Sequence, residues 1–82
     1  MSWANRDLER LERRVGDAYE RVVRCRRLIQ RLSERGDEAK LAAAKTLLTA
    51  LQRELDELRS HEQVILSELA RETEAHMRWR WR

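Results

Sequence analysis

The chain has no proline and no phenylalanine, two glycines, one cysteine and four aromatic residues in 82 positions. Each shortage excludes something. Without proline, no backbone N–H is missing from the helical hydrogen-bond ladder. Two glycines leave few places for tight turns, so long elements with few connections are expected. One cysteine excludes an intrachain disulfide framework. Four aromatics, Trp3, Tyr19, Trp79 and Trp81, offer too little large apolar volume for a multi-layer core. No apolar run approaches the ~20 residues needed to span a bilayer. The opening Met1-Ser2-Trp3-Ala4-Asn5-Arg6 has no apolar signal core. The expectation is a cytoplasmic protein.

Charge is plentiful: 40% of residues are charged and 41% hydrophobic. A chain this charged stays disordered unless its apolar residues are periodic. Here they are. The net charge of +3 is too small to demand a polyanionic partner, but it is unevenly spread. Residues 1–35 carry ten arginines against six acids, and residues 36–72 five bases against eight acids. A basic segment followed by an acidic one favours their pairing.

The apolar positions of the first segment are Ala4, Leu8, Leu11, Val15, Ala18, Val22, Cys25, Ile29 and Leu32. Their alternating steps of four and three make a heptad seam. With Leu8 at heptad position a, the a series is Leu8, Val15, Val22 and Ile29. The d series is Leu11, Ala18, Cys25 and Leu32. Ser33-Glu34-Arg35-Gly36-Asp37-Glu38 reads as a turn, with Gly36 suited to a left-handed helix end and Asp37 to the next N-cap. A second seam follows: Leu41, Ala44, Leu48, Leu51, Leu55, Leu58, Glu62, Ile65 and Leu69. Ser60-His61-Glu62-Gln63 resembles a capping box, but the seam keeps phase through it, which favours an unbroken helix.

The predicted fold is all-α. It is a single antiparallel, coiled-coil-like two-helix hairpin over residues 1–82, with helix 1 about 3–34, the turn 35–37, helix 2 about 38–77 and an Arg/Trp tail 78–82. Folding at Gly36 pairs Ile29 with Ala44, Cys25 with Leu48, Ala18 with Leu55 and Leu11 with Glu62. It also brings Leu28 to Leu47, Arg21 to Glu54 and Glu12 to Arg59 on the flanks, with Asp7 near Glu68 and Arg26 near Lys45 as like-charge exceptions.

A lone two-helix layer leaves each seam partly open to water, so more apolar surface needs cover. The flanks near the turn are widened by Tyr19, Val23 and Leu28 on the first helix and by Ala42, Ala43, Leu47 and Ala50 on the second. Beyond about residue 53 the flanks turn charged. These seven residues are the expected interface, either with a second copy in a four-helix bundle or with another helical protein.

No phosphate-cradling loop, nucleophile–base pair or paired acid set occurs, so no enzyme, cofactor or small-molecule substrate is expected. Cys25 on the seam reads as a small core residue. His61 and His76 are too far apart along one helix to share a metal, and no metal site is expected. The alternative function is nucleic-acid binding through Arg10, Arg13, Arg24, Arg27 and Arg31 with Arg78, Trp79, Arg80, Trp81 and Arg82, since Trp stacks on bases while Arg meets phosphates. The same tail suits an anionic membrane surface, the third alternative.

The segments Leu8-Glu9-Arg10-Leu11-Glu12-Arg13-Arg14-Val15, Arg24-Cys25-Arg26-Arg27-Leu28-Ile29-Gln30-Arg31-Leu32 with Gly36, and Ala44 with Leu47-Leu48 and Leu51 resemble a set of short uncharacterised alphaproteobacterial proteins. These share a basic first helix, a Gly turn and an Ala/Leu-rich second helix. The resemblance covers residues 8–62 and implies a bacterial helical hairpin but no activity. By architecture the chain also resembles a plasmid copy-control hairpin dimer that binds RNA, an analogy of fold alone.

Overall fold

A computed structural model describes the backbone of residues 3–80 and the side chains of residues 5–75. It contains two helices, α1 (Trp3–Arg35) and α2 (Glu38–Arg80), of 33 and 43 residues. They pack against each other as a helical hairpin 68 Å long and 17 by 14 Å across. The expectations on His76, Arg78, Trp79, Arg80, Trp81 and Arg82 fall on side chains outside the described residues.

The turn is built from the chemistry expected of it. Gly36 adopts φ 72°, in the left-handed region where a side chain is costly. The Gly36 N–H donates to the Ser33 carbonyl and the Asp37 N–H to the Leu32 carbonyl, both at 3.2 Å. This pair is the Schellman arrangement, which satisfies carbonyls left over at the end of α1. Asp37 then caps α2: its Oδ1 accepts from the Lys40 N–H at 3.2 Å, and its carbonyl accepts from the Leu41 N–H at 2.9 Å. Between two helices so joined, only an antiparallel return is short enough.

The heptad seam is the buried face. Leu11, Ala18, Val22, Cys25 and Leu32 of α1 are buried, as are Ala44, Leu55, Leu58 and Ile65 of α2. Leu8, Val15, Ile29, Leu41, Leu48, Leu51, Glu62 and Leu69 complete it at intermediate exposure. The main cluster joins Leu11, Ala18, Val22, Leu55, Leu58 and Ile65. Glu62 is the seam's one charge and is half-buried, while no charged side chain is fully buried among the described residues. A carboxylate at the seam's edge keeps water contact and avoids the desolvation cost of a full burial.

On the flanks, Arg21 pairs with Glu54 at 3.5 Å, as the register requires. The expected Glu12–Arg59 ion pair does not form among the described residues. Both side chains are exposed. Ordering two long side chains there costs about as much entropy as a solvated pair returns.

The α2 helix runs through Ser60–Gln63 without interruption. It also passes residue 77, its expected end, to reach Arg80. No glycine or proline stands there to stop it. From Ala70 to Ala75 every residue is exposed, because α1 no longer covers that stretch. No helix among the described residues is long and apolar enough to cross a membrane.

Candidate docking groove

Heptad geometry gives each helix two flanks beside its seam, one at positions e and b and the other at g and c. On α1 the g/c flank carries Arg21, Arg24, Leu28 and Arg31. On α2 it carries Lys40, Ala43, Leu47, Ala50 and Glu54. Antiparallel pairing joins these two flanks into one long face.

The turn-proximal half of that face is an open apolar groove. One part, about 470 Å³, is lined by Arg21, Arg24, Cys25, Leu28, Arg31, Leu47 and Leu51. A second part of about 310 Å³ shares Leu28 and Leu47 and extends toward the turn over Leu32, Lys40, Ala43 and Ala44. The trough follows from residue size. Cys25, Ala43 and Ala44 are small, so the helices meet over a low floor. Leu28 and Leu47 rise beside it, 38% and 50% exposed. Leucines left this open forfeit about half of the ~1.5–3 kcal/mol that full burial of such a side chain provides.

The rim is cationic. Arg21, Arg24, Arg31 and Lys40 line the groove, and no acid does. Arg24 pairs with Glu20 and Lys40 with Asp37, each at 3.7 Å, while Arg21 pairs with Glu54. Among the described residues Arg31 makes no ion pair. All three pairs lie at the surface, where each contributes at most ~1 kcal/mol and yields readily to a competing carboxylate.

The seven expected interface residues do not form one surface. Leu28, Ala43 and Leu47 line the groove. Ala50 is exposed and falls on the same flank, three residues beyond Leu47. Tyr19, Val23 and Ala42 lie on the opposite, e/b flank. There Tyr19 lines a separate hollow of about 350 Å³ with Val22, Arg26, Gln52, Leu55, Asp56 and Arg59. Counting apolar residues beside a seam cannot separate its two sides, whereas 100° of rotation per residue does.

The flanks beyond residue 53 are also less uniformly charged than expected. Val64 and Leu66 are 54% and 41% exposed, on the g/c and e/b flanks respectively. The signal was the run Val64-Ile65-Leu66, because a single helical face accommodates only one of three consecutive residues. The groove's floor of Cys25, Leu32, Ala44 and Leu51 is made of seam residues, the stretch where the two-helix seam lies open on its g/c side. Arg21 and Lys40 join its rim. The readable signal was the meeting of two small seam residues, Cys25 and Ala44.

Arg10, Arg13, Arg24, Arg27 and Arg31 are all exposed, but they do not share one stripe. Arg24 and Arg31 stand at the groove. Arg10 lies beside a distal hollow with Asp7, Leu11, Arg14, His61 and Ile65. Arg13 and Arg27 fall on the outer face, at position f. Asp17 interrupts the stripe of Arg10, Arg24 and Arg31. Among the described residues no group of three or more His, Cys, Asp or Glu side chains is placed to hold a metal ion.

No protein-family model, curated protein or solved structure matches the chain.

Proposed function

We propose that the protein is a non-enzymatic interaction module that receives a helix from outside the hairpin in the groove between Leu28 and Leu47. One observation carries this reading. Two leucines stand half-open over an apolar floor at the turn end, where Gly36 and Asp37 cap both helices. A rigid scaffold that holds apolar side chains toward water fits helix-in-groove recognition, where i, i+3/i+4 and i+7 anchors of the incoming helix fill the trough. Two kinds of occupant meet the requirement. A second copy would make a four-helix bundle, and a helix of another protein would make a hetero-complex.

The test is light scattering and paired pull-downs on wild type and a Leu47→Glu/Ala50→Glu double variant. Circular dichroism shows first that the variant is folded. Support is a doubled mass, or a helical protein retained by wild type, that the double variant loses. Unchanged mass and unchanged capture would sink the reading.

A nucleic-acid role for the same chain would use the exposed α1 arginines together with Arg78, Trp79, Arg80, Trp81 and Arg82, and Asp17 and Glu20 interrupt the α1 row. It predicts oligonucleotide binding with a steep salt dependence.

A further inference from the structure

The rim of the groove selects among occupants. Four cations and no acid line it; three of them share weak surface pairs with Glu54, Glu20 and Asp37, and Arg31 has no ion-pair partner within the described hairpin. Two copies docked groove to groove about a two-fold axis would bring each cationic rim against the other. Rim charges set which partners are admitted more than how tightly they hold, and facing like charges reject the wrong ones.

Nor does the described surface of this chain supply a matching insert. Outside the groove its exposed large apolar residues are Tyr19, Val64 and Leu66. Tyr19 is followed at i+4 only by half-buried Val23 and Leu66 at i+3 only by half-buried Leu69, and Val64 has no such neighbour, so no row of exposed anchors forms. An insert needs such a row, because a groove-bound helix is held by successive anchors on one face.

Resting on the docking function proposed above, we infer that the occupant is an acidic amphipathic helix of a different protein. Its leucine-type anchors lie between Leu28 and Leu47, and its Asp or Glu side chains meet Arg24, Arg31 and Lys40. The span from Arg21 to Arg31 is ~15 Å of helix axis, so the insert contacts the groove over about three turns. Arginine suits this rim because its planar fork pairs with a carboxylate through two hydrogen bonds.

The experiment uses the full chain and two synthetic peptides of about four helical turns. Both carry leucines at i, i+4 and i+7. One has glutamates at the flanking positions and the other lysines. Binding is measured by fluorescence anisotropy at low and high salt, with circular dichroism as the folding control for every variant.

The expected result is that the Glu peptide binds about tenfold or more tighter than the Lys peptide, three rim contacts contributing. That preference shrinks at 1 M salt, where the Debye length falls to ~3 Å. Leu47→Glu abolishes binding of the Glu peptide, and Arg24→Glu/Arg31→Glu removes or reverses the preference. Equal binding of the two peptides would overturn the acidic partner while leaving a helix-docking groove. Glu-peptide binding that Leu47→Glu leaves intact would place the site elsewhere and overturn it as well. If neither peptide binds, the inference fails. Should wild type then prove a dimer that Leu47→Glu dissociates, the groove is a self-association face and the broader docking function survives.

Discussion

The Cys25 thiol donates to the main-chain carbonyl of Ala44 at 3.3 Å, so the two helices touch side chain to backbone across the seam. Such an approach is possible only because both seam residues are small. It sets the depth of the groove beside it, since a longer side chain at either position would fill the floor.

That contact makes Cys25 a reporter. Cys25 is buried, 5% exposed as a residue, so a thiol-reactive reagent should modify it slowly in the folded hairpin and quickly in urea. Cys25→Ala should cost about 1 kcal/mol, and Cys25→Leu about 1–3 kcal/mol through overpacking against Ala44. Reaction as fast in buffer as in urea would show that this part of the seam opens readily.

The two glycines should respond to alanine in opposite directions. Beyond the adjacent backbone, neither has an atom within 4 Å of the place a Cβ would occupy, so packing against other side chains or the other helix decides nothing. Gly16 lies exposed inside α1, where alanine should raise stability by about 1 kcal/mol. Gly36 sits at φ +72°, where alanine should cost about 1–2 kcal/mol. Urea titrations followed by helical ellipticity separate the two, and a stabilising Gly36→Ala would contradict the turn geometry.

Glu62 occupies a seam position between Leu58 and Ile65, both buried. Glu62→Leu should extend the apolar cluster and stabilise the hairpin by about 1 kcal/mol, with a larger denaturant slope if more surface is buried. A loss of stability would mean that the carboxylate makes a compensating interaction at this position.

Much of the architecture was legible because it depends on local rules that act in the same direction. Steps of three and four identified the seam from Leu8 to Leu32 and from Leu41 to Leu69, and each of those residues is buried or half-buried. Gly36 and Asp37 marked the turn, where the backbone demands a left-handed residue and then a cap. The Arg21–Glu54 contact followed from counting outward from that turn.

The candidate site was less legible. Leu28, Ala43 and Leu47 were expected at an interface and do line the groove. Tyr19, Val23 and Ala42 flank the same seam but lie on its other side. Arg21 and Lys40 were not expected at a site at all. A groove is a relation between two helices, and its depth depends on how closely they approach.

The sequence by itself therefore determined two helices, the face each buries and the point where the chain reverses, because heptad spacing and cap chemistry are properties of consecutive residues. Only the tertiary structure decided which flank stays open. The small Cys25 and Ala44 let the helices close up there, while Leu28 and Leu47 project past the contact. Three arginines of α1 and Lys40 of α2 thereby come to line one apolar trough.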